Sequence, residues 1–119
     1  MKINGHVLPD KINVLGTTYK IFYDEDIDTP KYENANGYVE LWSKEIHVRR
    51  LLFEEPCSTH MNNLEELGYK VLRHEILHAF INESGLGESS DWAMNEEMID
   101  WFAKQFPKLK HTFEKVQIV

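Results

Sequence analysis

Apolar and polar positions alternate through much of the first half of the chain. In the second half apolar residues recur every three to four positions, so the pattern predicts strands followed by helices. Ile12, Val14 and Leu15 precede a turn candidate at Gly16-Thr17. Thr18-Tyr19-Lys20-Ile21-Phe22-Tyr23 follows it, rich in β-branched and aromatic residues, and the two runs predict a hairpin. Residues 37–42 and 45–49 alternate around Ser43-Lys44, which predicts a second hairpin with a two-residue turn. The alternation places Ile46 and Val48 on one face and sends His47 to solvent on the other. Between the hairpins, residues 24–36 are acidic and contain Pro30 and Asn34-Ala35-Asn36, the marks of an exposed loop. The first ten residues, broken by Gly5 and Pro9, carry no period and read as an arm.

After a connection over residues 51–60 the period becomes helical. Asn62 or Asn63 can cap a long helix whose first turn holds Glu65 and Glu66, favourable to the helix dipole. It runs to about Glu83, and Gly85 is the natural residue just past its end, because glycine takes the left-handed conformation without penalty. Gly68 inside the helix marks a kink or a close packing contact. Ser89, Ser90 or Asp91 can cap a second helix, Trp92 to Phe106, which Pro107 helps to end. Met94, Met98, Trp101, Phe102 and Gln105 follow helical spacing along it and predict a core stripe against the first helix. Leu109 to Val116 predicts a short final helix.

The first helix contains His74-Glu75-Ile76-Leu77-His78, the pattern H-E-x-x-H. Residues four apart lie one above the other, so His74 and His78 can aim their imidazoles at one point, the spacing that tetrahedral Zn²⁺ requires. Glu75 lies about 100° round the helix, where it can reach a water as a general base without being a ligand. An ordinary buried helix is the competing reading. It would leave these polar groups beside Leu72, Ile76, Leu77, Phe80 and Ile81 without partners, which costs free energy that a metal removes. A catalytic zinc takes a third protein ligand, and the candidates are Glu96, Glu97 and Asp100. Glu96 and Asp100 are four apart, so Glu96 can ligate while Asp100 accepts the free N–H of a liganding histidine. Glu97 points towards the side of Trp101. Together these residues suit peptide hydrolysis, Zn²⁺ polarising the carbonyl and Glu75 moving the proton from water to the leaving amine. Tyr38, Tyr69 and His60 are open candidates for a further donor to the oxyanion.

Length and composition narrow the rest. The 119 residues suffice for one domain, 1–119, with a single core. A net charge of −7 argues against direct nucleic-acid binding, which needs a basic stripe. Cys57 alone cannot form an internal disulfide and reads as a loop thiol. With no apolar run of membrane-spanning length and no leader-like start, cytoplasmic residence is the expectation.

Leu72-Arg73-His74-Glu75-Ile76-Leu77-His78-Ala79-Phe80, followed by Asn95-Glu96-Glu97-Met98-Ile99-Asp100-Trp101-Phe102-Ala103, resembles the small phage and prophage zinc metallopeptidase-like proteins related to the ImmA/IrrE family. The resemblance covers about the C-terminal half and is weaker over the hairpins. It implies a gluzincin-like fold and zinc, with Glu96 as third ligand and Asp100 where the family usually carries Asn. Leu77 stands where the family often has Gly, and the helix-turn-helix domain of larger members has no counterpart. The expectation is an α+β domain, a small and mostly antiparallel sheet from the N-terminal hairpins packed on two or three C-terminal helices. Its expected function is zinc-dependent proteolysis of an intracellular protein or peptide, such as a phage or host regulator. The alternative is a non-catalytic zinc-stapled module that binds a protein partner.

Overall fold

A computed structural model describes residues 1–3, 6–54 and 64–119. The cap candidates Asn62 and Asn63, the thiol Cys57, and His60 lie outside the described residues. The fold is α+β. Strands β1 (Lys2–Ile3), β2 (His6–Val7), β3 (Lys11–Val14), β4 (Thr17–Asp24), β5 (Gly37–Glu40) and β6 (Glu45–Arg49) precede helices α1 (Leu64–Glu83), α2 (Leu86–Ser89) and α3 (Glu96–Lys115). β1 and β2 pair antiparallel, so the predicted arm is a minimal ribbon of its own. Its chain is tied back where the N-terminal ammonium donates to the Leu8 carbonyl (3.0 Å) and Leu8 buries its side chain.

The main sheet has the order β3-β4-β6-β5. Both predicted hairpins form, and a parallel β4–β6 pair joins them, so the sheet is mixed. The first turn is Leu15-Gly16, one residue earlier than predicted: both have positive φ (50° and 94°), as a two-residue turn of the primed type requires. In the second hairpin Glu40 pairs with Glu45, so the connection is the four residues Leu41 to Lys44.

Alternation decides the two faces of the sheet. Val14, Tyr19, Ile21, Ile46 and Val48 form the inner face, with α1 laid across it through Val71, Leu72 and Ala79. Two glycines permit the approach. A Cβ on Gly68 would lie 2.8 Å from the Phe53 ring, so this glycine is a close contact with the 3-10 turn Arg50–Phe53. A Cβ on Gly37 would lie 2.8 Å from the His47 carbonyl oxygen and 3.1 Å from Val71. Edge strand β5 is thereby drawn against α1.

α1 ends as predicted, Gly85 taking φ 82°. The second long helix differs from expectation at both ends. Residues Asp91–Met94 form a 3-10 turn, and α3 starts at Glu96 with Asn95 as cap, its side chain accepting from the Met98 N–H (2.8 Å). Pro107 does not end the helix, which continues to Lys115 and absorbs the predicted short final helix. A proline inside a helix leaves the carbonyl four residues earlier without its donor. Here that carbonyl belongs to Ala103, and Arg73 of α1 donates to it from Nε at 2.7 Å. The predicted core stripe is also rotated: Ile99 and Ala103 are buried, whereas Met94 and Trp101 are exposed. Among the described residues no helix is long and apolar enough to cross a membrane.

Candidate metal centre

The inward stripe of α1 consists of Gly68, Val71, Leu72, Glu75 and Ala79. His74 and His78 lie one step round the helix from it, facing α3 and the open side of the fold. Their Nε2 atoms stand 3.2 Å apart. Glu96, in the first turn of α3, places Oε2 at 2.9 Å from His74 Nε2 and Oε1 at 2.9 Å from His78 Nε2. Among the described residues these three are the group of histidine and carboxylate donors whose ligand atoms all lie within 4.8 Å of one another. Glu97 is exposed and stands outside that group.

The donor set fits a cation of the zinc type on two grounds. Bonds of about 2.0–2.1 Å at tetrahedral angles separate ligand atoms by roughly 3.3 Å, close to the 3.2 Å between the two Nε2 atoms, each of which Glu96 meets with a different oxygen. The second ground is hydrogen count. Asp100 Oδ1 stands 3.1 Å from His74 Nδ1; in the tautomer that donates to it, Nε2 is left as a bare lone pair. With an ionised Glu96, the three inward contacts share at most the one hydrogen on His78 Nε2. A cation at their centre satisfies all three. Burial, with the neighbouring His74 adding to it against the pull of Glu96, holds His78 below the ordinary imidazole range and so favours its neutral form.

Asp100 is itself held by Lys70, whose Nζ donates to the same Oδ1 at 2.8 Å. This ammonium, more than the desolvation opposing it, keeps the Asp100 carboxyl below its usual range. Lys70 is the participant that sequence reasoning missed. Its position four residues before His74, on the same helix face, was the available signal.

Glu75 is the buried carboxyl of the site, only 6% exposed. Burial, followed by the repulsion of Glu96, pushes it up to about 8. It touches the same cleft as the triad, a cavity of about 850 Å³ whose walls include Lys70, Asp100 and Glu96 on one side and Gly37, Tyr38, Val39, Leu41 and Trp42 on the other. Tyr38 thus borders the cleft, while Tyr69 hydrogen-bonds Glu65 and is not among the lining residues.

His47 is not sent to solvent. Its ring is stacked between Phe22 and Tyr38 at 4.8 and 4.6 Å, and its nitrogens meet Asp24 (2.6 Å) and Glu45 (2.9 Å). The acidic segment at 24–36 is therefore partly tied down, Tyr32 being buried with its hydroxyl donating to Asp24.

No protein-family model, curated protein or solved structure matches the chain.

Proposed function

We propose that this protein is a zinc-dependent peptidase of the H-E-x-x-H type, related to the ImmA/IrrE-like metallopeptidases, with His74, His78 and Glu96 as ligands and Glu75 as general base. The observation that carries this reading is a buried carboxyl, Glu75, sharing one cleft with a convergent pair of imidazoles and a third donor from a separate helix. Zn²⁺ bound there would supply Lewis-acid polarisation of a carbonyl and of water. Glu75, whose burial favours taking up a proton, would receive one from water and hand it to the leaving amine. Asp100, braced by Lys70, fixes the tautomer and direction of His74. Edge strand β5 suits an extended substrate. Asn36 accepts from the Arg49 N–H (3.0 Å), so Gly37 and Val39 turn their own N–H and C=O away from β6, free to pair with a peptide strand.

The test is to incubate the zinc-loaded protein with a mixed peptide digest and identify new termini by mass spectrometry. Wild type cuts, and Glu75→Gln, still holding zinc, is slower by about 10²–10⁴-fold. One feature favours a second reading, a zinc staple that serves only binding: the triad bridges α1 and α3, a join a structural metal would reinforce. Under that reading wild type and Glu75→Gln are equally inert.

A further inference from the structure

Resting on the peptidase reading, we infer that the cleft selects a bulky apolar side chain on the amino side of the bond to be cut, gripped between Trp42 and the Ile81–Gly87–Met94 patch. Trp42 is 94% exposed, yet the loop that carries it is anchored. It lies in the Leu41–Lys44 connection, which is pinned at Lys44: Nζ contacts Glu83 at 2.8 Å and the carbonyl accepts from the Lys20 N–H at 3.1 Å. Glu83 also accepts from the hydroxyls of Thr17 (3.0 Å) and of the fully buried Tyr19 (2.7 Å). The loop is thus anchored to the end of α1 and to the first hairpin, and it presents an indole at the mouth of the cleft.

Across the cleft, a Cβ on Gly87 would stand 3.5 Å from Met94 Sδ and 3.8 Å from Ile81, so these three residues form one continuous apolar patch. Leu41 and Val39 extend the opposite wall. The lining then changes character along α1. From Lys70 to Asn82 the helix rises about 18 Å, the length of roughly five residues of extended chain. Lys70 and Asp100 occupy one end, the triad the middle, and the apolar patch the other end, about one turn beyond His78, where Asn82, Glu88 and the ion-paired Lys44 and Glu83 also line the cleft.

The direction of the substrate follows from β5. Its first residue, Gly37, packs on Val71, and the connection after it reaches Glu83, so β5 runs in the same sense as α1. A peptide added antiparallel, the more stable pairing, runs from the Trp42 end towards the Lys70 end. The residues before the scissile bond therefore meet Trp42, Ile81 and Met94.

Hydroxamates that place one side chain on the amino side of a metal-chelating group test this. N-acetylglycine, N-acetylleucine and N-acetylglutamate hydroxamates are titrated by calorimetry into the zinc-loaded protein, wild type, Trp42→Ala, Met94→Ala and Trp101→Ala. The leucine compound binds wild type about tenfold or more tighter than the glycine compound, and the glutamate compound gains nothing. That advantage shrinks severalfold in Trp42→Ala and Met94→Ala and persists in Trp101→Ala, an exposed tryptophan outside the cleft. If all three bind alike to wild type, or the leucine preference survives both cleft variants, the apolar grip is wrong while the metal reading stands. If not even the glycine compound binds, the peptidase reading and the grip fall together.

Discussion

Two clusters of histidine and carboxylate lie on different parts of this molecule, one on the sheet and one between the helices, and only in the second do two histidines converge on one carboxylate. On the outer face of the sheet, His47 gives each ring nitrogen its own carboxylate, Asp24 on one side and Glu45 on the other, while two rings cover its faces. Every polar atom of the imidazole is occupied and no common point remains. On α1, His74 and His78 point their Nε2 atoms at each other and at the single carboxylate of Glu96. The same residue types thus act as a sheet fastener in one place and as a donor cage in the other. The difference lies in spacing. In the sheet, neighbours on adjacent strands flank the ring, whereas the i, i+4 repeat of a helix stacks two rings over one point.

The sharpest break between the clusters is in metal affinity. His74→Ala lowers zinc affinity by more than about 100-fold, beyond what loss of an outer hydrogen-bond partner costs, whereas His47→Ala leaves it unchanged; competition with a chromophoric chelator reads both. His47→Ala instead lowers stability by about 1–3 kcal/mol in urea unfolding, through lost stacking and hydrogen bonds. Next comes the support of the cage. Asp100→Ala weakens zinc binding by about 10–100-fold, because His74 loses the partner that fixes its tautomer. Smallest is the anchor of the cleft rim. Hydrogen bonds from Lys44 and Tyr19, the largest causes, hold the Glu83 carboxyl down at about 2. A depressed carboxyl contributes stability that is complete above its ordinary value near 4.5 and is lost as pH falls towards 2. Acid unfolding followed by circular dichroism should therefore show a weaker loss between those values in Glu83→Gln than in wild type.

The helical cluster was legible in the sequence because its geometry is local. The spacing of His74 and His78, and of Glu96 and Asp100, puts each pair on one helix face whatever the rest of the chain does. The glycine stop at Gly85 and both hairpins were legible for the same reason. Features that depend on a distant partner were not. Pro107 reads as a stop until Arg73, from another helix, meets the carbonyl it orphans. His47 reads as exposed until Phe22 and Tyr38 are known to flank it through the parallel β4–β6 pairing, which no turn residue signals. The core face of the second long helix is misplaced in the sequence reading because Trp101, and Met94 in the 3-10 turn before α3, are apolar but exposed, whereas the small Ala103 is fully buried.

The central claim is that His74, His78 and Glu96 form one metal site with Glu75 outside the ligand set. Zinc content by mass spectrometry, on untagged protein dialysed against limiting zinc, tests it most directly in wild type, Glu75→Gln and Glu96→Gln. The prediction is about one equivalent in wild type and Glu75→Gln, and loss of zinc in Glu96→Gln. A wild type that retains no zinc, or a Glu96→Gln that retains as much as wild type, contradicts it.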